Sequence, residues 1–320
     1  MKKVFRNIIC SVLFLSILSV LLMTASAIMK PGKRAGVNSL EDPLTNGVLA
    51  ERKNTVDVLF LGDSECYSTF IPLKIWNDHG ITSYVCGTTE QVLSFSYELL
   101  TKAEKKQNPK TVVLETNTVF REVTNTKAFI NKAEGLFSVF KYHDRWKNLQ
   151  PKSWQINENK IYDERSKGYL FNTIVNAAST QGYMTPTDEK ETIPTDNVKY
   201  IKKIRDYCRK NGAELVLVSV PSTKNWNYAK HNAIAELSEN LGIEYVDMNT
   251  LQKEIPIDWK NETRDKGDHL NYYGAVKATS YMGKYLEASG LFENKKNDPE
   301  YAEWNRFAAD FYASAGDSAV

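Results

Sequence analysis

Apolar and polar positions fall into short blocks along the chain, and the blocks have the lengths of strands and helices. Val56-Asp57-Val58-Leu59-Phe60-Leu61 is nearly all apolar and ends at Gly62. Ser83–Cys86 ends at Gly87, Thr111–Leu114 ends at Glu115-Thr116-Asn117, Glu214–Val220 stops at Pro221, and Ile243–Val246 precedes Asp247. Short β-branched runs bounded by turn residues predict strands buried on both faces. Between them, Val92, Phe95, Ser96, Leu99, Leu100 and Ala103 recur at helical spacing, as do Val198, Ile201, Ile204, Tyr207 and Cys208. Ile234–Leu241 and Gly274–Ser289 are further helices, the second with Asn271 placed to cap it. This alternation predicts an α/β fold, three layers (α/β/α) around a mostly parallel sheet. Ligand sites in such folds lie beyond the carboxyl ends of the strands. Ser64, Gly87, Asn117 and Pro221-Ser222 all stand at such ends.

Four segments break the rhythm. Lys2, Lys3 and Arg6 precede an uncharged apolar run from Ile8 to Ile28, about long enough to cross a bilayer. Residues 1–28 therefore read as a retained anchor, with Ala25-Ser26-Ala27 keeping a cleaved signal peptide open as the rival. Either way the basic flank stays inside and the body of the protein lies outside the membrane. Residues 29–54, with Pro31, Gly32, Gly36 and Pro43, read as a linker to a domain over 55–292. Within that domain, about 118–195 reads as an aromatic-rich insertion packed over one end of the sheet, and 293–320 as a polar tail, weakly helical around Trp304–Tyr312. The formal net charge of +2 gives no basic footprint for a nucleic acid. Outside the apolar segment Cys66, Cys86 and Cys208 are odd in number, so a full disulfide framework is excluded; Cys66 and Cys86 either pair or remain buried thiols. The histidines are isolated, and neither they nor the cysteines have metal-ligand spacing, so no metal and no cofactor is expected.

A serine hydroxyl is a poor nucleophile until a base takes its proton, and histidine is the usual base. Ser64 sits on the turn after the first strand. Of the 4 histidines, His269 lies on a loop after the last strand, where it can reach the sheet's carboxyl edge. His143, in Tyr142-His143-Asp144-Arg145-Trp146, ranks second; His79 reads as part of a polar turn, and His231 as the start of an exposed helix. An acyl-transfer serine also needs hydrogen-bond donors for the oxyanion. The candidates are the backbone N–H of Ser64, the N–H of Gly87, where glycine permits close approach, and the Asn117 side chain.

Gly62-Asp63-Ser64, Gly87, Asn117 and Asp268-His269-Leu270-Asn271, in that order on an alternating chain, resemble the SGNH/GDSL hydrolase superfamily over residues 55 to 290. The resemblance implies a flavodoxin-like sheet and a site built from a Ser, a Gly, an Asn and a His. The chain departs from the pattern at Glu65, where an apolar residue is commoner, and at Glu115-Thr116-Asn117, which keeps only the Asn. Lys266 occupies the family's acid position, three residues before His269, so the orienting acid is Asp265, Asp268 or neither. These departures, the anchor and the aromatic insertion look more like the cell-envelope branch, similar to the teichoic-acid D-alanylation protein DltD and to the alginate O-acetylation proteins. That branch implies acyl transfer to an envelope polysaccharide or other acylated glycan beside a membrane-bound O-acyltransferase. His143, Arg145 and Trp146 would then line a polymer groove. The acceptor is water or a sugar hydroxyl. The competing class is a non-catalytic module that binds polymer or a partner on the same scaffold. A nucleotide-binding Rossmann protein is excluded by the missing glycine-rich fingerprint after the first strand.

Overall fold

The computed structural model describes residues 2–29, 45–122, 130, 133–134, 136–148 and 165–316. It forms two compact units, one from residues 1–40 and 124–161, the other from 41–123 and 162–320.

In the first unit, α1 (Lys2–Met29) carries a stretch, Lys3–Met29, long and apolar enough to cross a membrane. Its polar residues do not interrupt it, because the Ser16 and Thr24 hydroxyls donate back to the carbonyls of Val12 and Val20, each at 2.9 Å. Ser26 instead accepts a bond from the Val139 N–H at 3.1 Å, at the start of the short helical turn Ser138–Lys141.

The second unit is built on a five-stranded, all-parallel sheet. After β1 (Val58–Gly62) come α2 (Ser64–Thr69) and α3 (Pro72–His79), then β2 (Ser83–Gly87), α4 (Leu93–Ala103) and β3 (Thr111–Glu115). The chain continues through α5 (Thr195–Lys210), β4 (Glu214–Ser219), α6 (Tyr228–Leu241), β5 (Glu244–Asp247), α7 (Tyr272–Ala288) and α8 (Ala302–Ala315). The strand order β2-β1-β3-β4-β5 is the flavodoxin-like order. Alternate strand residues face opposite layers. Leu59 and Leu61 pack with Leu93, Leu100, Ile201 and Ile234, while Val58 and Phe60 pack with Phe70, Met282 and Leu286. The three-layer α/β fold expected from the alternation is the fold observed.

Four differences from the sequence reading have physical causes. The short helices α2 and α3 carry too little periodicity to be read, but both ends of the pair are marked. Asp63 caps α2 through its side chain, and Pro72 opens α3, which Gly80 closes at φ 68°. The domain begins before residue 55, since Val48 and Glu51 are buried and Glu51 pairs with the buried Lys167 at 2.6 Å. The insertion is not a single piece: 162–195 belongs with the sheet and buries Tyr169, whereas 124–161 belongs to the first unit. The C-terminal segment is no free tail. Trp304, Phe307, Ala308 and Phe311 recur at helical spacing in α8 and pack on Ile71, Trp76, Tyr169 and Tyr272.

Candidate active site

Ser64 is placed by a turn that only glycine allows. A Cβ on Gly62, the last residue of β1, would lie 2.6 Å from the Cβ atoms of both Cys66 and Glu115. The chain can therefore turn directly from strand into α2, whose first residue is Ser64. Asp63 locks the turn by accepting from the Glu65 N–H at 2.9 Å.

The partner of Ser64 comes from a tight loop between β5 and α7. Thr263 and Leu270 form an antiparallel bridge, and the Arg264 N–H and Thr263 hydroxyl both donate to the His269 carbonyl, at 3.1 and 3.0 Å. Within the loop Lys266 and Gly267 are both left-handed, at φ 58° and 92°. A side chain at Gly267 would overlap Thr223, so a glycine is required there. The consecutive left-handed pair absorbs one extra residue and brings Asp265, four residues before His269, back onto the ring. His269 Nε2 lies 2.8 Å from Ser64 Oγ, and His269 Nδ1 lies 2.8 Å from Asp265 Oδ2. Asp268 Oδ1 is 3.6 Å from the same Nδ1 and accepts instead from Asn225 at 2.5 Å and Lys224 at 3.2 Å. Asn271 caps α7 as expected, accepting from the Tyr273 and Gly274 N–H groups, which fixes the far end of the loop.

Gly87 and Asn117 arrive from the neighbouring strands. Gly62 and Gly87 are in register at the ends of β1 and β2, and a Cβ on Gly87 would lie 3.1 Å from the Asp63 carbonyl oxygen. The end of β2 thus lies against the Ser64 turn. Just past β3, the Asn117 N–H donates to Glu115 Oε1 at 2.7 Å, and its side-chain amide donates to Asp63 Oδ2 at 3.3 Å. The second amide hydrogen has no protein partner among the described residues.

Beneath these groups lies a set of polar residues whose roles were not visible in the sequence. Asp63, Glu65 and Glu115 are all buried. Arg121 donates twice to Asp63 Oδ2, at 2.9 and 2.6 Å. Asn225 donates to Glu65 at 2.6 Å as well as to Asp268, and its carbonyl accepts from Lys230 at 2.7 Å. Asn225 therefore ties the serine helix to the histidine loop. The one available signal was position: Asn225 follows Ser222 in the polar loop that leaves a buried strand. Burial, reinforced by Asp63, pushes the Glu65 carboxyl up to about 8, and burial holds Glu115 well above the carboxylate range. Burial also works to raise Asp268, but His269, Asn225 and Lys224 outweigh it, and the group sits below its ordinary value.

The sign of the Glu65 effect follows from linkage. A carboxyl raised from 4.5 to about 8 on folding binds its proton more tightly in the native state. Its contribution to stability is full below pH 4.5 and is lost as pH rises toward 8. Replacing Glu65 with Gln should remove this slope, on the order of a few kcal/mol across the window. Denaturant midpoints of parent and variant measured from pH 5 to 9 check this; parallel curves would show that Glu65 ionises normally in the folded chain.

His143, Arg145 and Trp146 belong to the first unit; His143 Nδ1 lies 2.8 Å from the Phe140 carbonyl, Trp146 is exposed, and the Arg145 side chain is outside the described part. His79 ends a helix rather than forming a polar turn, with Nδ1 3.1 Å from Glu287. His231 stands in the first turn of α6 and is bonded to Asp247 at 2.7 Å. Cys66 and Cys86 are buried free thiols packed on opposite faces of the sheet.

No family model matches the chain, and no curated protein does. Among solved structures, it is similar to a GDSL-like lipase of Bacteroides thetaiotaomicron, at 12% identity and TM-score 0.38, covering 79% of this chain and 100% of that one. It is also similar to the psychrotrophic esterase EstA of Pseudoalteromonas sp., at 8% identity and TM-score 0.39, covering 74% and 99%. A lipase/acylhydrolase of Enterococcus faecalis aligns at 10% identity and TM-score 0.35, covering 73% and 97%. Likenesses at this level do not bear on activity, which is read from the side chains.

Proposed function

We propose that the protein is a serine acyl-transfer enzyme of SGNH/GDSL type that hydrolyses or transfers an ester-linked acyl group. The observation that carries this reading is the unbroken hydrogen-bond chain from Ser64 Oγ through His269 to Asp265. Ser64 Oγ attacks the ester carbonyl while His269 Nε2 takes its proton. Asp265 holds the ring with Nε2 toward the serine and stabilises the imidazolium. The Ser64 N–H, the Gly87 N–H and the free amide hydrogen of Asn117 receive the oxyanion. The tetrahedral intermediate collapses, His269 returns the proton to the departing alkoxide, and an acyl-Ser64 remains. In the second half, His269 takes the proton of an incoming hydroxyl, whose oxygen attacks the acyl-enzyme; the acyl–Ser64 bond breaks and His269 returns the proton to Ser64 Oγ. Water as acceptor makes the protein an esterase; a sugar hydroxyl makes it an O-acyltransferase.

The apolar helix α1, with its basic flank, supports work outside the membrane, as an anchored or secreted protein. A cell-envelope polysaccharide or other acylated glycan is the substrate class that suits such a location, and a membrane-bound O-acyltransferase is the partner that would deliver the acyl group. Aromatic Trp146 and its neighbours His143 and Arg145 would contact that polymer.

Treating the full chain in detergent with a fluorophosphonate tests the proposal. The adduct is expected on Ser64 by peptide mass spectrometry and should be lost in His269→Ala. A folded chain that takes no label at Ser64 would leave a binding module as the better reading.

A further inference from the structure

Two cations lie near Asn117 at the carboxyl end of β3: Lys230 reaches its side chain, and Arg121 shares Asp63 Oδ2 with it. Arg121 uses Nε and Nη2 on a single oxygen of Asp63, at 2.9 and 2.6 Å, and its Nη1 has no partner among the described residues. Lys230, in the first turn of α6, gives Nζ to the Asn225 carbonyl at 2.7 Å and to Asn117 Oδ1 at 3.5 Å. Asp63 answers the charge of Arg121. For Lys230, no carboxylate lies within ion-pair distance among the described residues. The rings of Phe120 and Trp226, 5.1 and 5.9 Å away, cover its apolar side.

The nearby carboxyls compensate only in part. Burial raises the Glu65 and Glu115 carboxyls above their ordinary value, and these two and Glu191 act on Lys230 only through space. Burial accordingly lowers the Lys230 pKa, with the three glutamates opposing and Arg121 adding to the effect. A partly buried ammonium with no carboxylate in contact is costly in the resting protein. Its position beside the amide assigned to the oxyanion gives that cost a use.

We infer that Lys230 and the free Nη1 of Arg121 bind a carboxylate or phosphate carried by the substrate, so that the acyl donor or acceptor is an anionic ester rather than a neutral one. This rests on Ser64 being the nucleophile. A guanidinium edge and an ammonium near one side chain suit a group with two or three acceptor oxygens. The anion is held close to the reacting carbonyl, because Asn117 touches both Lys230 and Asp63, the residue before Ser64.

The test compares 4-nitrophenyl hemisuccinate with 4-nitrophenyl acetate on the full chain, each rate divided by that ester's hydroxide-catalysed rate. The ratio of kcat/KM should favour the anionic ester, should fall about tenfold or more in Lys230→Met, and should recover in Lys230→Arg. An equal fall for both esters would assign Lys230 to the Asn117 amide and overturn the inference. A second readout needs no turnover: titration of succinate and of inorganic phosphate into Ser64→Ala, with and without Lys230→Met, at matched thermal midpoints. Binding that is lost with Lys230 supports the site, and the tighter anion identifies the group. Anion binding without Ser64 labelling would remove the enzyme reading and keep the anion site. Ser64 labelling with no charge preference and no anion binding would do the reverse.

Discussion

Replacing Ser64 with Ala should abolish ester turnover while leaving the thermal midpoint nearly unchanged. The loss expected is roughly a millionfold in kcat, as where a nucleophile and its base work as a unit. His269→Ala should cost almost as much, and the double variant little more than either, because each residue is useless without the other. The stability half of the expectation follows from packing. Ser64 is half-buried on the first turn of α2, and its hydroxyl bonds only to His269 among the described residues. Truncation removes one side-chain hydrogen bond at a partly solvated position, worth about 1 kcal/mol. The capping bond that starts α2 belongs to Asp63, not to Ser64. Steady-state kinetics with 4-nitrophenyl acetate, paired with thermal unfolding, make the check. Turnover surviving in Ser64→Ala would move the chemistry to another residue. A collapsed midpoint would mean that the serine holds the turn.

Much of the sheet was legible because its strands are buried on both faces and read as continuous apolar runs. Val58–Leu61, Thr111–Leu114 and Leu215–Val218 could hardly be anything else at that length. Placing Ser64, Gly87 and Asn117 at strand ends needed nothing more. The parts that escaped depend on long-range contact or on unusual backbone. Asp63, Glu65 and Glu115 look like surface residues in one dimension, since carboxylates are seldom fully buried. Their burial follows from the crowding of β1, β3 and α2 around Gly62. Arg121, Asn225 and Lys230 meet there only because β1, β3 and β4 are adjacent in the sheet, an order that local patterning does not encode. In the tail the helix around Trp304–Tyr312 was legible but its docking was not: the apolar stripe of α8 is interrupted by Glu303, Asn305 and Arg306, and only the packed helix shows which face Trp304 and Phe307 share.

Asp265→Asn should lower kcat/KM by about ten-thousandfold, the scale associated with loss of the carboxylate that fixes a catalytic histidine, whereas Asp268→Asn should cost far less. Sequence spacing favours neither, since Lys266 fills the usual position. The difference arises in the loop. The left-handed Lys266 and Gly267 fold the chain so that Asp265 Oδ2 meets His269 Nδ1 at 2.8 Å, while Asp268 stands at 3.6 Å. Hydrogen bonds weaken steeply beyond their normal range, so Asp265 is the group able to fix the ring's tautomer. An amide at 265 can present its NH₂ to Nδ1 and leave Nε2 protonated, the wrong form for a base. Asp268 is held by Asn225 and Lys224 and serves to position the loop. Its variant should show a modest rate loss with an altered pH profile, because Asn225 links it to Glu65. Kinetics of the two single variants from pH 6 to 9 separate the roles. A larger loss at 268 than at 265 would exchange the two assignments, and two near-silent variants would reduce the site to a Ser64–His269 dyad.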